Sequence, residues 1–246
     1  MENSINAIFD EIRTLIENDD TSREKILKLS RSAVRKSSES IRAIHRRELK
    51  LAFTMIDSIK EDLKEIITLI PGNGLFENNI EIAFQEFIEA LELYHFVANR
   101  DNKDSNTLIS LKEIHKELPI PYIPYLHGLC DLVGELRRFT LDSIRLNDIS
   151  SAEQALQVMD EIFANLVTLD YPNALVPGIR RKTDLIRNLL ERTRGDLTFT
   201  FNRLALVTKL DDVFSATKAN KKDLSSLFQG NSENNNLEEE EDQEEK

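Results

Sequence analysis

One cysteine, no tryptophan, seven glycines and six prolines occur among 246 residues, and each scarcity excludes something. The lone thiol, Cys130, rules out an intramolecular disulfide framework, and no Cys/His spacing suggests zinc. Long segments contain neither Gly nor Pro, so a strand-rich fold lacks the turns it needs; nothing alternates with period two, and the chain reads as all-α. No uninterrupted apolar stretch approaches the roughly 18 residues of a membrane span, and the opening MENSINAIFDEIRTLIEN has no basic leader before an apolar run. A soluble, cytoplasmic protein with no membrane partner is expected. No Walker loop, nucleophile elbow or dinucleotide fingerprint occurs, since the one close glycine pair is Gly72 and Gly74, which argues against common cofactor enzymes.

Positive charge is also short in total. A net charge of −12 would ordinarily argue against a polyanionic partner, but its distribution matters more than its sum. Residues 233–246 hold eight acids and one lysine, whereas residues 23–50 hold ten Lys/Arg against three Glu. The sequence NSENNNLEEEEDQEEK has almost nothing to bury. The expected organisation is therefore one helical domain over 1–210, followed by a weakly structured to disordered acidic tail over 211–246.

Apolar periodicity predicts seven helices. The first, near 4–17, carries Ile5, Ile8, Phe9, Ile12, Leu15 and Ile16 on one face. Asp20 or Thr21 is expected to cap a very long second helix over 22–70, which Pro71-Gly72-Asn73-Gly74 ends. Further helices are expected near 75–100, 109–117, 124–147, 150–168 and 178–208. The polar loop NRDNKDSN and the proline-rich ELPIPYIPY act as connectors.

Two helical faces carry candidate chemistry. Lys28, Arg31, Arg35, Arg42 and Arg46 fall within an arc of about 60° on the second helix, opposite Ile26, Leu29, Ala33, Ile41 and Ile44. Ordinary solvated faces mix charge signs through i,i+4 pairs, and here only Glu24 and Glu39 interrupt, so a nucleic-acid backbone is the favoured partner. A second basic group, Arg180, Arg181, Lys182, Arg187, Arg192 and Arg194, either extends that surface or merely decorates it. On the fifth helix, His127, Asp131, Glu135, Arg138 and Asp142 share an arc of about 80°. Asp131 and Glu135 lie one turn apart, where two carboxylates repel unless a cation neutralises them; hard divalent ions take oxygen ligands of this kind.

The third helix adds Glu86, Glu89 and Glu92, then His95. Glu92-x-x-His95 is half of the di-iron bundle signature, which needs two copies, and the chain has one. Glu86 and His95 point to opposite sides of the helix, so His95 reads as a core-boundary residue. Periodicity puts Glu86 and Glu89 on the polar side, away from Phe84, Phe87, Ile88 and Leu91.

Four segments together resemble the translin family, and its catalytic TRAX (translin-associated factor X) branch in particular. They are REKILKLSRSAVRKSSESIRAIHR, FQEFIEALELYHF, PYLHGLCDLVGELRRFTLDSI and LVPGIRRKTDLIRNLLERTRGDLTF, in order, spanning residues 20 to about 205. The resemblance implies a seven-helix bundle that closes into a hollow homo-oligomer, an octamer being favoured, or that assembles with a translin-like subunit. It also implies endonucleolytic cleavage of single-stranded RNA with Mg²⁺, or Mn²⁺ in its place. Carried over by motif, the catalytic carboxylates are Glu86, Glu89 and Asp131, the same three serving as metal ligands, with Glu135 as a weaker fourth. The non-catalytic branch lacks the full acidic set; the alternative is such a scaffold, binding single-stranded RNA or DNA without cutting it.

Overall fold

The structure, a computed structural model, describes residues 2–70, 77–100 and 108–241. Seven helices and no strand occur among the described residues: α1 (Glu2–His45), α2 (Leu49–Leu69), α3 (Glu77–Asn99), α4 (Leu111–Ile114), α5 (Tyr122–Arg145), α6 (Ile149–Thr168) and α7 (Ile179–Glu241). The all-α expectation is met. The turn at 71–74 and most of the loop at 99–106 lie outside the described residues. The chain divides into two units, residues 1–194 and 195–246. In the first, α1 packs on α2 and α3, α2 on α3, α3 on α5, and α5 on α6.

The N-terminal helices are divided differently from the expectation. No break occurs at residues 18–21, because Thr21 does not cap: its hydroxyl donates back to the Glu17 carbonyl at 2.9 Å inside a continuous helix. The long helix breaks instead at 46–48. Arg47 adopts φ 65°, and the bonds Glu48 N–H to Ala43 O and Arg47 N–H to Ile44 O, both 2.9 Å, form a Schellman closure. Arg46 thus leaves the helical stripe for a turn. Asn147, at φ 60°, closes α5 in the same way, and the Asp148 side chain then caps α6 by accepting from Ser151 N–H. Pro124 sits inside the first turn of α5, where no backbone donor is needed, so this helix begins at Tyr122 rather than at 124.

Each helix of the first unit buries one stripe. On α2 it is Ala52, Ile56, Ile59, Leu63 and Ile66; on α5 it includes Leu132, Val133, Leu136 and Phe139. Fully burying one such Ile, Leu or Phe contributes about 1.5–3 kcal/mol. The apolar residues Ile5 to Ile16 of α1, by contrast, are exposed. In the second unit the helix runs on to Glu241, beyond Leu210, where the apolar pattern weakens and an irregular tail is expected. Residues such as Ala219, Lys221, Leu224 and Glu238–Glu241 favour helix by local propensity alone, and no proline interrupts them.

Candidate functional site

The site is built where α3, α5, the end of α1 and the start of α7 meet. Gly128 sets the approach of α3 to α5: a Cβ there would lie 2.7 Å from Ile88 Cβ and Cγ2 and 2.8 Å from Gln85 O. One turn further along α5, Asp131 is reached from α3 by Gln85, whose Nε2 donates to Oδ2 at 2.6 Å. Lys182, in the first turn of α7, donates to both Asp131 oxygens, at 2.7 and 2.8 Å, and to His127 O at 3.3 Å. Glu135 Oε2 lies 2.6 Å from His45 Nε2 at the end of α1 and 3.7 Å from an Arg138 nitrogen.

Glu86 and Glu89 are half-buried rather than solvent-facing. Burial first, and then the neighbouring carboxylates Glu86, Asp131 and Glu135, push the Glu89 carboxyl up to about 8, against the opposing pull of Lys182. Glu86 is raised too, by burial and by Asp131. The structure thus brings all four sequence-predicted carboxylates into one electrostatic neighbourhood. His127 is shifted the other way, its pKa lowered by burial and by Lys182. Cys130, next to Asp131, is no nucleophile, because burial pushes its thiol up to about 12.

By donor chemistry this set fits a hard divalent cation: carboxylate oxygens whose mutual repulsion a second positive charge would relieve. The rotamers do not preassemble one. Among the described residues no group of three or more His, Cys, Asp or Glu side chains is arranged to hold a metal ion, and Asp131 is occupied by Lys182.

The cationic stripe divides. Lys28, Arg31, Arg35 and Arg42 are exposed on α1 with no ion-pair partner among the described residues, and the first three line an open concavity of about 760 Å³ with Arg23 and Glu24. Arg46, expected to continue the stripe, is held by Glu48 through contacts of 3.0 and 2.7 Å. In the second basic group only Lys182 turns inward, to Asp131; Arg180 with Asp170, Arg187 with Asp184 and Arg194 with Asp160 form pairs at the surface.

The Translin family profile matches residues 21–194, more than half of the chain and every helix that contributes to this site. The chain belongs to the translin family. Among its relatives, the uncharacterized protein MJ0175 of Methanocaldococcus jannaschii is 34% identical over 201 residues, covering 80% of this chain and 86% of that protein. Translin-associated protein X of Mus musculus is 22% identical over 178 residues, 57% of this chain and 59% of that protein. Of solved structures, AfC3PO in complex with duplex RNA superposes with a TM-score of 0.69 at 26% identity, over 79% of this chain and 97% of that one. This translin-family chain adds to the predicted carboxylates three groups that helix-wheel reasoning missed: Lys182, Gln85 and His45. Each comes from a different helix than the carboxylate it touches, so no periodicity within one helix could reveal it.

Proposed function

We propose that this protein is a Mg²⁺-dependent endoribonuclease that cleaves single-stranded RNA within an oligomer of its own copies, about eight in a closed shell, or together with a translin-like subunit. The observation that carries the reading is the convergence of Glu86, Glu89, Asp131 and Glu135 from α3 and α5, where burial first and the neighbouring carboxylates second push Glu89 up to about 8. Kinship with translin-associated protein X supports it. Glu86, Glu89 and Asp131 would hold the cation through their carboxylate oxygens. A divalent ion bound there supplies charge neutralisation at a phosphate and acidifies a water for in-line hydrolysis.

The chain's own residues do the rest. Glu135 Oε2 is committed to His45, which fixes the side chain and leaves Oε1 to accept a proton from the attacking water. Lys28, Arg31, Arg35 and Arg42 attract the RNA backbone without reading its sequence, an attraction that salt screens. The exposed apolar residues of α1, Ile5 through Ile16, support self-association. AfC3PO is held with duplex RNA, so both strand forms belong in the assay.

Glu89→Gln and Asp131→Asn are each expected to lower Mg²⁺-dependent RNA cleavage by at least ~100-fold, with RNA retention and assembly unchanged. Undiminished cleavage by either variant rejects the site. The Lys182–Asp131 pair is the observation that favours the second reading, a binding scaffold without catalysis. On that reading the wild-type protein retains RNA and releases no fragments at any Mg²⁺ concentration.

A further inference from the structure

We infer that Lys182 is the resident counter-ion of the carboxylate cluster, holding Asp131 until a divalent cation takes its place. This rests on the metal-binding reading of Glu86, Glu89 and Asp131. An ammonium has three N–H donors, and Lys182 meets three acceptors: Asp131 Oδ1 at 2.7 Å, Asp131 Oδ2 at 2.8 Å and His127 O at 3.3 Å. Its place is built. Gly178, at φ 73°, turns the chain into α7, and the buried Ile179 and Thr183 fix the face from which Lys182 projects.

The ammonium bonds both Asp131 oxygens, and Gln85 also donates to Oδ2. A cation that takes Asp131 through both oxygens therefore displaces the ammonium. The pair permits this, because the two side chains keep 24% and 31% of their exposure and water can reach the exchange. The residue type suits the role as well. A lysine is a strongly hydrated point charge on a flexible stem and releases a carboxylate more readily than the two-pronged guanidinium of arginine. Among the described residues Lys182 is also the cation whose charge opposes the rise that burial and neighbouring carboxylates give Glu86 and Glu89. Without it Asp131 would lose its ion-pair partner, while His45 and Arg138 lie against Glu135 only. Lys182 is thus a positioning residue that competes with the cation for one ligand.

The probe is Mn²⁺, its free concentration followed by electron paramagnetic resonance during titration of the intact chain and of Lys182→Met, Lys182→Arg and Glu89→Gln. Methionine keeps the apolar stem and removes the charge. Lys182→Met is expected to bind Mn²⁺ roughly five- to tenfold more tightly than wild type. Without divalent ions it should melt below wild type, a loss that Mn²⁺ restores. Lys182→Arg, which keeps the charge and grips with two prongs, should bind Mn²⁺ more weakly, and it carries the test if the methionine variant does not fold. Equal or weaker binding by Lys182→Met, or tighter binding by Lys182→Arg, overturns the inference; if Glu89→Gln still abolishes wild-type binding, the metal reading stands without it. Absence of Mn²⁺ binding in both wild type and Lys182→Met overturns both.

Discussion

Glu92 is a carboxyl sealed inside the helical core. It is fully buried; Oε2 accepts from Ile109 N–H at 2.9 Å, and the Tyr125 hydroxyl also acts on the carboxyl. Burial pushes it up to about 8 despite the Ile109 donor. The folded protein therefore holds a proton that the unfolded chain, titrating near 4.5, has lost, and stability falls as pH rises from about 4.5 to about 8. Glu92→Gln keeps the acceptor for Ile109 and removes the titration. Compared with wild type it is expected to be equally stable near pH 4 and more stable at pH 9, by on the order of a few kcal/mol, in urea unfolding; an advantage that does not grow with pH contradicts this assignment. In the sequence Glu92 reads as a member of the Glu86, Glu89, Glu92 row and as half of a Glu92-x-x-His95 pair, and neither shows its burial. Its burial comes from the segment at Ile109, far along the chain, which α3 alone does not reveal. Glu86 and Glu89 show the same limit: their helix register marks them polar, while their half-burial is imposed by α5 and α7.

At the scale of the element, the contact that matters most is the crossing of α3 and α5 at Gly128. There is no room for a methyl group against Ile88 and the Gln85 carbonyl, so Gly128→Ala must push the helices apart or displace Ile88. The expected cost is ~1–3 kcal/mol in stability, with the proposed RNA cleavage reduced because Gln85, Glu86 and Glu89 retreat from Asp131. A variant with wild-type melting temperature and full cleavage would show that the spacing at Gly128 is not needed. Most element identities could be read from 3.6-residue periodicity, as the buried stripe of α2 illustrates. The break between α1 and α2 escaped because Arg47 takes a left-handed conformation usually marked by glycine, helped there by its guanidinium lying 5.0 Å from the Phe139 ring centre. Thr21 resembles a cap in sequence and bonds into its own helix instead.

For the molecule as a whole, the all-helical fold and the translin family could both be read from sequence, because four long segments match in order and because glycine and proline are so sparse. What the sequence withheld was the pairing within the site, since the His45–Glu135 contact and the Lys182–Asp131 ion pair join residues 90 and 51 positions apart. Those pairs decide whether the acidic cluster stands ready for a cation or is held closed by the chain's own bases. Anomalous diffraction from crystals soaked in Mn²⁺ tests the central claim most directly. The expected result is a peak about 2.1 Å from oxygens of Glu86, Glu89 and Asp131, with the Lys182 ammonium moved away. A difference map with Mn²⁺ peaks only elsewhere, and Lys182 still seated on Asp131, would contradict it.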